Sequence, residues 1–277
     1  MRQERLNRNN RKLVNSTIFE AIKLNPLNEN FLKEYDSKSF ISKFILKNSF
    51  NIFILNNNIG YIWHETLANN IINIRSLYFS PNFLDLPIDF FKRNRNYNYE
   101  SIANEESISL LKALDFNIYS ESYILEKNIK KINFENLVNI SFKEIKSKTD
   151  INTRVMLQNS IFAEDTRIPL EVSDILFDMK QDYYIDDLAI IMYYKEIPIG
   201  YGQIIKNNDY MVVNFGILAE YRNKGFGKHF LNYLIFLSKN KNINKLSIRV
   251  SPDNVRALNL YHSLGFYYKE HVLNWNK

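Results

Sequence analysis

Residues 222–227 read Arg-Asn-Lys-Gly-Phe-Gly and lie between a predicted strand, 210–217, and a predicted helix. The helix is indicated by helical spacing of apolar residues, namely Phe230, Leu231, Leu234 and Ile235. A turn from strand into helix directs unpaired backbone N–H groups and the positive end of the helix dipole at one point. Such a point binds phosphate, so the segment predicts a phosphate site.

Two common nucleotide-binding motifs do not match this segment. A Walker loop needs Gly-Lys followed by Ser or Thr, but His229 follows Gly227-Lys228. The dinucleotide motif needs a third glycine where Phe230 stands. The pattern that remains is Arg/Gln-x-x-Gly-x-Gly/Ala.

A second segment, 254–266, reads Asn-x-x-Ala-x-x-x-Tyr-x-x-Leu-Gly-Phe. It predicts a helix capped by Asn254 and ended by Gly265, with one inward face made of Ala257, Leu258, Tyr261 and Leu264. Its distance from Arg222 suits one helix plus one strand. Together the two segments resemble the signatures of the GNAT superfamily of acyl-CoA-dependent N-acyltransferases.

The resemblance implies acetyl-CoA as co-substrate. The backbone of Ile217 and Ala219 is expected to pair with its pantetheine arm, and the amides of 223–228, with the Arg222 side chain, to hold its pyrophosphate. The expected cofactor-binding residues are Ile217, Leu218, Ala219, Arg222, Asn223, Lys224, Gly225, Phe226, Gly227, Lys228, Asn254 and Ala257. For Asn254, cofactor contact and simple helix capping remain equal alternatives.

Tyr261 is the catalytic acid that the resemblance indicates. A phenol with a pKa of about 10 is close enough to a thiol at about 8.5 to protonate the departing thiolate. The alternative is that Tyr261 is a core aromatic. A general base is not evident, because 210–216 contains no carboxylate. The candidates for the base are water and two acidic residues, Glu164 and Asp165, in the loop between the first two helices of this half. The alternative for each acid is an ordinary surface residue.

The elements of the second half follow from periodicity and turn residues. We predict strands at 140–145, 188–194, 197–206, 210–217, 246–250 and 267–275, and helices at 151–162, 170–181, 227–239 and 255–264. The resulting class is α/β (mixed α+β). The resemblance implies the GNAT fold, a central mixed, mostly antiparallel sheet with helices on both faces.

The first half repeats the second with a shortened middle. Ile59-Gly60-Tyr61 mirrors 199–201, and Asn104 and Leu114-Asp115-Phe116 mirror Asn254 and 264–266 at a larger offset. The first copy is therefore shorter in the region where the phosphate loop is expected, and Leu111 occupies the position that Tyr261 has in the second copy. We expect two similar domains in tandem: 1–126 degenerate, 127–137 a linker, and 138–277 catalytic. The alternative is an unrelated α/β accessory domain.

The elements of the first half are predicted in the same way. We expect helical segments in 1–47, with Phe40, Phe44 and Ile45 on a core stripe, and a helix at 105–114. The expected strands are 50–55, 59–65, 71–79, 99–103 and 119–125.

Composition excludes several classes of protein. The chain of 277 residues has no cysteine, which excludes disulfides, a thiolate metal site and a cysteine nucleophile. Its four histidines lack ligand spacing, so no metal is expected. No apolar run approaches the roughly 20 residues of a membrane span, and no secretory signal is evident. We therefore expect a cytoplasmic protein without membrane contact, with a mitochondrial-type presequence at the basic start of the chain as the minor alternative.

The net charge of +6 and pI near 9.1 favour anionic ligands. The leading interpretation is an acetyl-CoA-dependent N-acetyltransferase acting directly on a small-molecule or peptide amine. A non-catalytic acyl-CoA sensor or scaffold is the second. An RNA-associated protein is the third, although the scattered basic residues do not favour nucleic acid. Monomer and dimer both remain open.

Overall fold

A computed structural model of the chain describes residues 1–67, 70–83, 85–130, 133–163, 167–207 and 209–277. The chain divides into two compact units. The first unit comprises residues 1–122 with 270–277, and the second comprises residues 123–269.

Up to residue 128 the elements are β1 (Arg2–Glu4), α1 (Arg11–Leu24), α2 (Phe31–Ser37), α3 (Phe40–Asn48), β2 (Phe50–Leu55), β3 (Asn58–Thr66), β4 (Ile71–Phe79), β5 (Asn96–Ile102), α4 (Glu105–Ala113) and β6 (Asn117–Asn128). The rest are β7 (Ile140–Glu144), α5 (Lys148–Ile161), α6 (Val172–Asp178), β8 (Ala189–Tyr194), β9 (Ile197–Lys206), β10 (Tyr210–Ile217), α7 (Phe226–Asn240), β11 (Lys245–Val250), α8 (Val255–Ser263) and β12 (Tyr267–Asn276). These bounds confirm the predicted strands and most predicted helices to within a few residues.

In the first unit the strand order is β1-β2-β3-β4-β5-β12. Neighbouring strands are antiparallel except β4 and β5, which are parallel. Helix α1 packs on one face of the sheet and α4 on the other, because alternate residues of β2 enter different clusters, Ile52 with α1 and Phe53 with α4. This is the predicted arrangement of helices on both faces.

The end of the chain completes the sheet of the first unit. Residues 272–276 of β12 lie antiparallel to residues 98–102 of β5. Trp275 is fully buried and donates its indole N–H to Ser101 Oγ at 3.0 Å. The predicted domain ranges of 1–126 and 138–277 therefore differ from the compact units in two places: the division lies at 122/123, and 270–277 joins the first unit.

In the second unit the strand order is β6-β11-β10-β9-β8-β7. The pair β10–β11 is parallel, and the pairs β6–β11, β9–β10, β8–β9 and β7–β8 are antiparallel. Helix α5 contributes Leu157 to the cluster on one face, and α7 contributes Phe230 and Leu234 to the cluster on the other. The sheet is mixed and mostly antiparallel, as predicted.

Local capping explains where several helices begin. Ser147 Oγ accepts the N–H of Asp150 at 3.2 Å, and the Asp150 carboxylate accepts the N–H of Ser147 at 2.9 Å, which forms a capping box for α5. Asn104 and Asn254 each accept the N–H of the third residue that follows, at 2.7 and 3.1 Å. The two asparagines that the repeat aligns thus have the same local role.

The repeat is also visible at the ends of α4 and α8. The N–H of Phe116 donates to Leu111 O at 2.9 Å, and that of Phe266 donates to Tyr261 O at 3.1 Å. Asp115 and Gly265, the residues just before these phenylalanines, both have left-handed φ, 59° and 79°. The two halves are therefore similar in structure as well as in sequence.

The units differ between their two parallel strands. The second unit has α7 between β10 and β11, whereas the described residues between β4 and β5 contain one 3-10 turn, Ile88–Phe90. Phe83 and Phe91 of this segment are buried against the first unit's core. The described residues between β4 and β5 thus contain no counterpart of α7, and the loss of the phosphate loop from the first unit stays a prediction.

One predicted part of the core is wrong. Phe40, Phe44 and Ile45 on α3 are 89, 71 and 67% exposed, and no residue of α3 is buried. Helical periodicity shows that apolar residues share a face, but it does not show what covers that face. In the described part of the chain, no helix is both long and apolar enough to cross a membrane.

Candidate functional site

The strand before the phosphate loop is bulged. β10 pairs with β9 from Tyr210 to Val213, and the register shifts before it resumes at Gly216 opposite Tyr201. The shift leaves Asn214 and Phe215 in a bulge, and Asn214 takes a left-handed φ of 52°. A bulge bends the strand and redirects its backbone groups.

β10 and β11 separate at the same point. Their parallel pairing in the described residues comprises Met211 with Ser247 and Val212 with Ile248, although β10 continues to Ile217 and β11 to Val250. Beyond Val212 no described residue of β10 pairs with β11, and we call this gap in the strand pairing the opening. An extended ligand inserted there can add to the backbone of 213–217 as a further strand does.

Gly216 is needed for close packing beside this opening. A Cβ at Gly216 would collide with the side chain of Ile161 at the end of α5. Phe162, the next residue, lies 3.6 Å from the same Cβ position. The end of α5 thus packs directly on the bulged part of β10.

The loop after β10 forms the predicted turn from strand into helix. A 3-10 turn, Ala219–Tyr221, follows the strand, and Asn223 and Gly225 take left-handed φ values of 63° and 82°. α7 begins at Phe226, has no side-chain cap, and carries no acidic residue in its first turn. The first amides of a 15-residue helix therefore lack side-chain acceptors and remain available to an anion.

The Arg222 side chain does not point freely toward this anion site. Its Nε donates to Ile217 O at 2.8 Å, and its Nη2 donates to Ile161 O at 3.2 Å. These two hydrogen bonds give Arg222 a positioning role in the loop, and its contact with pyrophosphate and the pairing of Ile217 with pantetheine stay predictions. Arg222 ties the loop to the end of β10 and the end of α5.

Helix α8 packs against the start of α7. A Cβ at Gly227 would lie 3.7 Å from Leu260 and 3.9 Å from Ile217, so the end of β10, the first turn of α7 and α8 converge at one position. Asn254 caps α8, and its contact with the cofactor stays a prediction. Leu218 is buried, Ala257 is partly buried and packs on the core, and Ala219 is exposed.

Tyr261 lies on the inner side of α8. It is 7% exposed, and burial raises the pKa of its phenol to about 12. The proton-transfer argument made from an ordinary phenol pKa is therefore weakened. A buried phenol with this pKa remains protonated at working pH and acts best as a hydrogen-bond donor.

The candidate bases remain few. Glu164 and Asp165 lie outside the described residues. Glu220 is exposed, and its carbonyl accepts from Lys224 Nζ at 2.9 Å. His229 Nε2 lies 3.1 Å from Asn136 Oδ1, and burial lowers the pKa of His229. Over the described ranges, no group of three or more His, Cys, Asp or Glu residues forms a metal site.

Sequence reasoning missed a buried polar network beside the bulge. Arg154 on α5 is 1% exposed and donates to Asp178 Oδ2 at 2.5 Å, to Gln158 Oε1 at 2.8 Å and to Gln203 Oε1 at 3.3 Å. Gln203 also accepts from Asn214 Nδ2 at 3.5 Å, which connects α5 to the bulge. The available signal was an arginine on the same helical face as Leu157 and Gln158.

The comparisons with known proteins agree with this geometry. Residues 159–266 match the sequence profile of the Acetyltransferase (GNAT) family. This part of the chain is similar in sequence to GNAT acetyltransferase domains. Sequence comparison with curated proteins finds no match.

The structural matches extend the GNAT fold to the whole chain. A GCN5-related N-acetyltransferase from Sphaerobacter thermophilus superposes with a TM-score of 0.73 at 10% identity, over 100% of this chain and 95% of that one. A tandem GNAT protein from the clavulanic acid biosynthesis pathway superposes with a TM-score of 0.62 at 8% identity, over 100% of this chain and 98% of that one. A GNAT-family acetyltransferase from Colwellia psychrerythraea superposes with a TM-score of 0.59 at 12% identity, over 100% of this chain and 99% of that one. The predicted tandem GNAT fold is confirmed.

Proposed function

We propose that the second unit transfers the acetyl group of acetyl-CoA directly to a primary amine of a small molecule or peptide. The observation that carries this proposal is the opening between β10 and β11, which leads to the uncapped start of α7. An extended pantetheine arm fits the opening, and a diphosphate fits the helix start. The GNAT family match supports acyl transfer in general.

The reaction requires three events at this site. The amine nitrogen attacks the thioester carbon, the carbonyl oxygen gains negative charge, and the carbon–sulfur bond breaks to release a thiolate. Backbone N–H groups near Phe215 and Gly216 are the proposed donors to the oxyanion. The attacking nitrogen loses its proton to water or to the carboxylate of Glu164 or Asp165, which acts as the base.

Tyr261 is the proposed donor to the departing sulfur. A phenol whose pKa is about 12 gives up a full proton to a thiolate unfavourably, since a thiol has a pKa of about 8.5. A hydrogen bond to the sulfur still lowers the barrier as negative charge develops there. The residue therefore stabilises the leaving group, and its own proton remains in place or is shared.

Calorimetry and a thiol-release assay test the proposal together. We expect acetyl-CoA to bind and a panel of primary amines to give free thiol. Tyr261→Phe is expected to bind acetyl-CoA normally and to turn over at least about tenfold more slowly. Absence of heat on acetyl-CoA titration contradicts the proposal. Unchanged turnover in Tyr261→Phe removes this residue from the mechanism.

The second candidate is a non-catalytic acyl-CoA sensor or scaffold. The observation that favours it is the lack of any carboxylate in 210–216, on the strand that borders the reacting carbonyl. This candidate predicts tight acetyl-CoA binding without thiol release for every amine tested.

A further inference from the structure

Helix α3 turns its apolar side away from the protein. Its large apolar residues Phe40, Ile41, Phe44 and Ile45 are 89, 73, 71 and 67% exposed. Leu46, on the opposite side, packs against the first unit's core. At 100° per residue the four exposed side chains span an arc of about 140°, so they form one continuous surface, which we call the α3 stripe.

Basic residues border the α3 stripe. Lys38, Lys43 and Lys47 lie on or next to the helix, and residues 37–48 contain no acidic residue. On the helical wheel, Lys43 and Lys47 follow one edge of the stripe. A lysine can keep its ammonium group in the polar layer while its aliphatic stem lies along an apolar surface.

The charge and shape of this surface point to its occupant. In an antiparallel twofold contact between copies of the chain, the two lysine edges would lie on the same side, where like charges are unfavourable. The stripe is convex and contains no hydrogen-bonding side chain that would specify a protein partner. An apolar helical face with a lysine edge is typical of helices that lie in the plane of an anionic membrane.

We propose that α3 binds the surface of an anionic lipid bilayer, with Phe40, Ile41, Phe44 and Ile45 inserted below the headgroups and Lys43 and Lys47 at the phosphates. This inference is independent of acetyl transfer, since α3 belongs to the first unit. It revises the expectation of no membrane contact, which rested on the lack of a spanning segment. An in-plane helix needs no such length.

Vesicle flotation with the full chain tests the proposal. We expect binding to vesicles of phosphatidylcholine mixed with phosphatidylglycerol, and much weaker binding to phosphatidylcholine alone. Phe40→Ser/Phe44→Ser is expected to lower the bound-to-free ratio at least about tenfold. The matched control, Phe19→Ser, removes another exposed phenylalanine of the same unit, 60% exposed on α1, and is expected to bind as wild type.

The charge component has its own pair of variants. Lys43→Gln/Lys47→Gln is expected to weaken binding and to flatten its dependence on salt, whereas Lys12→Gln/Lys23→Gln on α1 is expected to do neither. Circular dichroism checks that each variant is folded. If Phe40→Ser/Phe44→Ser is not folded, Ile41→Ser/Ile45→Ser takes its place in the experiment.

Three results overturn the proposal. The first is no binding of wild type to anionic vesicles. The second is equal binding by the α3 stripe variants and Phe19→Ser. The third is a dimer, seen in sedimentation analysis, that the α3 stripe variants abolish, because it assigns the surface to a second copy of the chain.

Discussion

At the scale of single residues, the high pKa of Tyr261 has a consequence for the pH profile of the proposed reaction. Burial raises this pKa to about 12, so the phenol keeps its proton up to that pH and loses it only above. We expect kcat/KM to rise as the amine substrate loses its proton and to show no alkaline decline up to a pH of about 10. Steady-state kinetics at a series of pH values up to about 10 measure this profile.

Tyr261→Phe is the control for that profile. Its rate should be lower at every pH but should follow the same shape. An alkaline decline with a midpoint near 9 that is present in wild type and absent from Tyr261→Phe would show that the phenol titrates in the ordinary range, against this prediction.

The two glycines of the phosphate loop should respond differently to substitution. Gly225 has a φ of 82°, where a side chain costs about 1–2 kcal/mol. A Cβ at Gly227 makes only ordinary contacts, at 3.7 Å or more. Gly225→Ala should therefore weaken acetyl-CoA binding about tenfold or more, while Gly227→Ala should bind within about twofold of wild type. Calorimetry separates them, and equal affinities would contradict the prediction.

At the scale of elements, the Arg154 network couples α5 and α6 to the bulge of β10. Replacing Arg154 with methionine leaves the Asp178 carboxylate and Gln203 without their main partner. Breaking a buried ion pair from one side costs about 3 kcal/mol or more, and Asp178 is partly exposed, so we expect about 3 kcal/mol of lost stability. Denaturant unfolding measures this change.

Lys148→Met is the matched control for Arg154→Met. It places the same side chain on the same helix at an exposed position and should change stability by less than about 0.5 kcal/mol. If both variants unfold at the same denaturant concentration, the Arg154 network does not contribute to the stability of the protein.

At the scale of the whole molecule, the two units should differ in ligand binding. The described residues between β4 and β5 form no α-helix, and Glu105 and Glu106 occupy the first turn of α4. We therefore expect one molecule of acetyl-CoA per chain, bound by the second unit. Calorimetric stoichiometry checks this, and two equivalents, or one equivalent that survives Gly225→Ala unchanged, would contradict it.

The last strand should be essential to the first unit. Trp275 is fully buried in that unit's core, so Trp275→Ala is expected to cost about 3–5 kcal/mol. Hydrogen exchange should show lost protection in β5 and α4. The exposed Phe19→Ala is the control, and unchanged protection in Trp275→Ala would contradict the assignment of 270–277 to the first unit.

The sequence by itself determined the order and type of nearly all elements and the position of the turn from β10 into α7, where we predict the anion site. Local signals suffice for these features. Alternating apolar residues define strands, Asn104 and Asn254 define helix starts, and Gly225 and Gly265 allow left-handed turns, all without information from distant residues. The absence of Arg-x-x-Gly-x-Gly from 77–98 likewise predicted that the first unit lacks the phosphate loop.

Only the tertiary structure decided which groups meet. Periodicity placed Phe40, Phe44 and Ile45 on one face but could not show that nothing covers them. The engagement of Arg222 by Ile217 and Ile161, the burial of Tyr261 and the Arg154 network all depend on residues far apart in the chain. The placement of 270–277 with the first unit depends on strand pairing of the same kind, because long-range contacts are set by the packing of whole elements and leave no local pattern.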